Sequence, residues 1–189
     1  MSLFDRLVVA TLPMVPRVIV GKVASQYIAG ETLADAMTTV RRLNQAGFMA
    51  TVDVLGEFTH ERAEAERSTE KYLELLDAIV AERVDANISV KLTALGLSID
   101  PIFGRRNVRR VVESAARRNI FVRLDMEDSP HTTLTLDIYD EFRRERSVRG
   151  AVQAYLKRTM DDVIRLIDKS PANFRLCKGI YVEPESIAY

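Results

Sequence analysis

Several polar side chains stand where apolar ones are expected. Lys91 lies inside ISVKLTAL, Arg123 and Asp125 inside FVRLDME, Gln153 inside GAVQAY, and Arg175 inside FRLCKGIYV, which also carries Tyr181. Side chains alternate along a strand, so Phe121, Arg123 and Asp125 share one face. An unpaired charge buried on that face would cost several kcal/mol, so these groups must pair with one another or with a polar ligand. Lys91 has three chemistries open to it: a structural ion pair with Asp53 or Asp125, a Schiff-base nucleophile, or a receptor for a carboxylate. Asp125 either partners that lysine or tunes a ligand. Arg175 either forms a structural pair or donates to an anionic or electron-rich ligand. Gln153 offers both donor and acceptor, which suits an amide-edged heterocycle or a neighbouring strand's side chain. Tyr181 either packs at a strand end or walls a small pocket. His60 and His131 form no H-x-x-x-H pair, so no metal site is expected, and each is assigned to a loop or helix start.

These groups need a scaffold, and the apolar spacing supplies one. Leu33, Ala36, Met37, Val40 and Leu43 are spaced for a helix that Gly47 ends. MATVDVLGE alternates as a strand. THERAEAERSTEKYLELLDAIVAERV predicts a long charged helix with its apolar stripe at Tyr72, Leu75, Leu76 and Ile79. ANISVKLTAL, IFVRLDME, VRGAVQAY and FRLCKGIYV predict four more strands. RRNVRRVVESAARRN, TTLTLDIYDEFRRER and LKRTMDDVIRLIDKS predict the helices between them. Strand and helix alternate throughout, the pattern of a parallel sheet built from βαβ units. No G-x-G-x-x-G loop follows a strand, which disfavours a dinucleotide-binding doubly wound sheet. A (β/α)₈ barrel demands one apolar face toward the helices and one face toward the axis, with chemistry near the strands' C-terminal ends. The alternation meets that demand. Val52 and Val54 oppose Thr51 and Asp53. Ile88, Val90 and Leu92 oppose Ser89, Lys91 and Thr93. Val122, Leu124 and Met126 oppose Arg123 and Asp125. Val152 and Ala154 oppose Gln153, and Leu176 and Ile180 oppose Arg175, Cys177 and Tyr181.

Composition bounds the class. The 189 residues carry 27 basic and 27 acidic side chains, so no global basic bias points to nucleic acid. One cysteine, Cys177, leaves no internal disulfide, is assigned to packing, and makes a cytoplasmic setting the default. No apolar run reaches the ~20 residues of a membrane span. MSLFDRLVVATLPMVPRVIV carries Asp5, Arg6, Pro13 and Pro16, and is read as a packing helix rather than a signal peptide. The basic runs Arg105–Arg106, Arg109–Arg110 and Arg143–Arg146 are read as solvated helix faces. The expected division is N-terminal helices over 1–47 and a β/α barrel over 48–189.

ISVKLTALGL, FVRLDMEDS, AVQAYLKRT and FRLCKGIYVEP occur in this order on successive predicted strands. Together they resemble the flavin-dependent proline dehydrogenases, from the first strand to the C-terminus. The resemblance implies a (β/α)₈ barrel holding FAD over its strand ends. It implies oxidation of L-proline to Δ1-pyrroline-5-carboxylate, with electrons passing to a quinone at a membrane surface. Residue by residue, it implies that Lys91 binds the substrate carboxylate and that Asp125 pairs with Lys91. It places the main chain of Met126 against the flavin and Gln153 on its pyrimidine edge. Arg175 is implied near flavin N5, with Lys178, Gly179 and Ile180 at the cofactor and Tyr181 at the substrate pocket. Glu57 is implied to gate the pocket by pairing with an arginine of the last helix. The family usually has alanine where this chain has Ile180, so a narrowed pocket or shifted flavin is expected. The sequence stops at Tyr189, just after the fifth predicted strand. A partial barrel of about five of eight strands is therefore expected, without the final helix's arginines and much of the adenosine site. Two other classes compete: a Schiff-base barrel aldolase using Lys91, and an inactive half-barrel that serves as an assembly piece. Oligomerisation is left open.

Overall fold

The structure, a computed structural model, describes residues 29–30, 32–144, 147–168 and 172–189; the packing helix expected over 1–20 lies outside them. Helix α1 (Leu33–Gln45) precedes β1 (Ala50–Asp53), α2 (Arg62–Glu82) precedes β2 (Ala86–Val90), and α3 (Pro101–Arg117) precedes β3 (Val122–Leu124). Helix α4 (Ser129–Phe142) then precedes β4 (Val148–Gln153), and α5 (Thr159–Ile167) precedes β5 (Phe174–Cys177). The strands form one parallel sheet in chain order, β1-β2-β3-β4-β5. Sequential order with a helix between neighbours is the winding of a β/α barrel; a doubly wound sheet reverses its order at a switch point.

Local chemistry sets the boundaries. Thr32 and Asp35 form a capping box at the start of α1, and Gly47, at φ +85°, turns the chain after it. Asp100 accepts the Ile102 and Phe103 N–H groups and Pro101 opens the first turn, so α3 starts earlier than its arginine-rich stretch suggested. Outward residues Ile88, Val90, Val122, Leu124 and Val152 pack against Tyr72, Leu75 and Leu76 of α2, Val108, Val111 and Val112 of α3, and Leu136 and Ile138 of α4. The basic side chains of α3 are not simply solvated. Arg110 pairs with Glu70 of α2, and Arg105 and Arg109 pair with Glu141 of α4, lacing the outer layer. Each such surface pair is worth about 1 kcal/mol or less.

The strands are shorter than their apolar runs. β2 ends at Val90, and Thr93–Leu95 forms a 3₁₀ turn closed by Gly96 at φ +91°. Thr93 is consequently not an inward strand residue. It is fully buried, its N–H donates to Glu127 Oε1 at 3.0 Å, and its hydroxyl donates to Glu127 Oε2. Leu176, expected to be covered, is 68% exposed, whereas Phe174 at the start of the same face of β5 meets the Tyr139 ring of α4 with centroids 4.9 Å apart. Ile180 lies beyond β5 and is also exposed.

Candidate functional site

The C-terminal ends of the strands surround a cavity of about 430 Å³. Its walls include Lys91 beyond β2, Asp125 and Met126 beyond β3, Gln153 at the end of β4, Arg175 on β5, and Lys178, Gly179, Ile180 and Tyr181 in the following loop. Parallel register explains the convergence: Val90 pairs with Leu124, and Ala151 with Arg175, so inward residues a few positions further on point into one mouth.

Lys91 takes one of the two acids its position left open, and Asp125 does not pair with it as the resemblance implied. Lys91 Nζ donates to Asp53 Oδ2 at 2.7 Å, not to Asp125. Asp125 instead pairs with Arg175 across β4. Both acids neighbour Lys91, Asp125 by continuing the β2–β3 register and Asp53 at the end of β1; Asp125 faces Arg175 over the small Ala151, which leaves room between them, and Asp53 is left to Lys91. Burial acts to lower the Lys91 pKa, but the hydrogen bond and charge of Asp53, with the charges of Asp125 and Glu57, raise it overall. Lys91 therefore stays an ammonium, suited to holding a carboxylate and unsuited to attack on a carbonyl, which needs the neutral amine.

Gln153 is buried, and its amide nitrogen donates to the Glu127 carbonyl at 2.7 Å, which fixes the orientation of the carboxamide. Met126 is buried at the cavity's edge. Gly179 sits at φ +106°, and a Cβ there would fall 2.0 Å from the Tyr155 ring, so only glycine allows this close approach. Tyr155 also donates its hydroxyl to the Tyr181 carbonyl at 3.0 Å, tying the loop after β5 to the loop after β4. Glu57 accepts from the Tyr181 hydroxyl at 2.9 Å; the arginine partner implied for it is not among the described residues. Burial first, then Glu57, pushes the Tyr181 pKa up, so Tyr181 remains a neutral donor.

His131 lies in the first turn of α4, between Ser98 and Asp128, and His60 lies in the loop before α2. Among the described residues no group of His, Cys, Asp and Glu is arranged to hold a metal ion. Cys177 is half-buried and lines the cavity rather than packing in the core.

Three supports escaped the motif reading. Glu127 is fully buried; burial raises its pKa, and its side chain and carbonyl tie the Thr93 turn and Gln153 together. Glu183 accepts the Ser129 N–H at 2.6 Å and the Ser129 hydroxyl at 2.7 Å, capping α4 from the chain's far end. Tyr72, read only as part of an apolar stripe, donates to Asp53. A tyrosine in a buried stripe carries a hydroxyl that needs a partner, and that was the available signal.

Residues 36–188 match the family described as proline dehydrogenase. Proline dehydrogenase 1 of Bacillus subtilis subsp. natto is 36% identical over 167 residues, covering 88% of this chain and 55% of that protein. Proline dehydrogenase of Deinococcus radiodurans is 32% identical over 173 residues, with the same coverage of 88% and 55%. The chain thus spans about half the length of these curated relatives. A crystal structure of proline utilization A (PutA) from Bdellovibrio bacteriovorus inactivated by N-propargylglycine superposes with a TM-score of 0.72 at 26% identity, over 80% of this chain and 20% of that one. On its sequence, its sequential parallel β/α winding and these matches, the chain belongs to the proline dehydrogenase family.

Proposed function

We propose that this chain forms the cofactor- and substrate-bearing part of an FAD-dependent enzyme that oxidises L-proline to Δ1-pyrroline-5-carboxylate. The observation that carries the proposal is the cavity that joins Lys91, Asp125, Met126, Gln153, Arg175, Lys178, Gly179, Ile180 and Tyr181. FAD fits the donor set around the cavity: a buried carboxamide of fixed orientation, a guanidinium and a lysine, beside a glycine turn held against the Tyr155 ring. FAD, when bound, supplies acceptance of a hydride from the carbon beside the proline nitrogen. Lys91 holds the proline carboxylate with the ammonium hydrogens that Asp53 does not use. Gln153 meets the pyrimidine edge of the isoalloxazine, and Met126 lies along it. Arg175, steered by Asp125, favours the electron-rich reduced ring, while Lys178 and Gly179 seat the cofactor. Tyr181 walls the substrate pocket, and Glu57 gates it through its hydrogen bond to the Tyr181 hydroxyl. Ile180, larger than the family's usual alanine, narrows the cofactor side of the cavity.

Among the described residues no helix is long and apolar enough to cross a membrane. A quinone acceptor would be met at a membrane surface from the cytoplasmic side.

The test is a chimera in which residues 36–188 replace the matching part of the Bacillus subtilis relative. Yellow protein with proline-dependent dye reduction is expected. A colourless chimera whose Lys91 is trapped by borohydride would favour the aldolase reading. A flavin-loaded chimera inert toward proline would leave the substrate assignment without support.

A further inference from the structure

We propose that Tyr72 is a positioning residue for Lys91, acting through Asp53. This rests on the reading of Lys91 as the receptor for a substrate carboxylate. Tyr72 lies in the middle of α2, on the buried stripe it shares with Leu75, Leu76 and Ile79, and is fully buried. Its hydroxyl makes contacts that leucine could not. It donates to Asp53 Oδ1 at 2.8 Å, lies 3.0 Å from the Ser89 carbonyl, and accepts weakly from the Val54 N–H at 3.4 Å. One hydroxyl thus reaches the end of β1 and the strand that carries Lys91.

The consequence lies in how Asp53 divides its two oxygens. Oδ1 is held from behind by Tyr72, and Oδ2 faces the cavity and takes Lys91 Nζ at 2.7 Å. The Asp53 side chain is about a third exposed, so a carboxylate held only by the lysine could turn toward water. The buried hydroxyl removes that freedom at little entropic cost, because its ring is already fixed by packing. Lys91 then points into the cavity with one donor engaged and the rest free for a ligand. The charged groups facing it are Asp53 of β1, Glu57 of the following loop and Asp125 just beyond β3, with Arg175 of β5 lining the same cavity.

The experiment reads Lys91 without substrate or cofactor. The chain is labelled with acetic anhydride across a pH series, and the Lys91 peptide is quantified against Lys71 and Lys157 by mass spectrometry. Asp53→Asn is expected to move the Lys91 titration to lower pH. Tyr72→Phe, which keeps the ring and removes only the hydroxyl, is expected to move it the same way by a smaller amount. A midpoint lower by about one pH unit makes labelling about tenfold faster at any pH below it. A Tyr72→Phe titration equal to wild type, with Asp53→Asn displaced, would overturn the proposal, since Asp53 would then hold Lys91 unaided. If Tyr72→Phe does not fold, the Asp53→Asn chain decides: the Tyr72 Cζ carbon-13 resonance must move, and an unmoved resonance overturns the link. In the chimera, Tyr72→Phe is expected to raise the proline KM while sparing kcat. Failure of Lys91→Ala to raise that KM would sink the carboxylate assignment while leaving the labelling result intact.

Discussion

In β3, Val122 and Leu124 are fully buried beneath the helices, whereas in β5 Leu176 remains 68% exposed although it occupies the same kind of outward position. The β1 side resembles β5: Phe48, Met49 and Leu55 around that strand are all exposed. The alternation of side chains is equally good in the centre and at the margins. What differs is the number of layers packed against each strand. A parallel strand is stable when both faces are covered, and an outermost strand also presents a row of unpaired backbone groups. The candidate site is divided in the same way. Lys91 stands at the end of the covered strand β2, while Arg175, Lys178, Gly179 and Tyr181 hang from the exposed margin.

The largest expected effect concerns association. Expressed alone, the 189-residue chain is expected to self-associate through its β1 and β5 margins, to bind a hydrophobic dye, and to purify without flavin colour or proline oxidation. Light scattering that returns a compact, dye-silent, yellow monomer would break the comparison, because the margins would then be self-sufficient. Substitution sharpens it next. Leu124→Ala in the centre is expected to cost about 2–5 kcal/mol of unfolding free energy, and Leu176→Ala less than about 0.5 kcal/mol. Equal losses in denaturant titrations would show that β5 is covered in solution.

Within the site, Lys91→Ala in the chimera is expected to raise the proline KM by the equivalent of about 2–3 kcal/mol while flavin stays bound. Arg175→Ala is expected instead to lower the flavin reduction potential, with about 1 kcal/mol or less lost in stability, because its ion pair with Asp125 is partly exposed. Stopped-flow reduction and potentiometry separate the two; matching wild-type values for Arg175→Ala would make it purely structural. The smallest effect is on pH dependence. Burial raises the pKa of Glu127, so its folded value lies above its unfolded one. Its contribution to stability is therefore full below the ordinary glutamate range and is lost as pH rises through the folded value. Glu127→Gln keeps an acceptor for the Thr93 N–H, reverses the second contact so that its amide nitrogen donates to the Thr93 hydroxyl, and is expected to flatten that part of the stability–pH curve. A curve identical to wild type would mean that Glu127 titrates normally.

Much of this was legible along the chain. Apolar residues at helical and strand spacing set the order of elements, because burial of one face is a local periodic requirement. The same spacing named the inward residues Lys91, Asp125, Gln153 and Arg175, since a polar group recurring inside an apolar strand must meet other polar groups. The strand ends were less legible: ISVKLTAL reads as one strand, yet Thr93 leaves it to bind Glu127 from the next. The pattern narrowed the acid that would meet Lys91 to Asp53 or Asp125 and could not choose between them. Alternation tells which face a side chain takes, whereas its partner depends on register with residues tens of positions away and on what stands behind them. Asp53 is turned toward Lys91 by a hydroxyl from α2, Asp125 is left to Arg175 by the small Ala151, and α4 is capped by Glu183 from the far end of the chain. Residue spacing alone settled the winding and the chemical inventory of the mouth. The pairings and the exposed positions at the β1 and β5 margins emerge from the folded arrangement, because hydrogen bonds and burial depend on distances that close when the strands align.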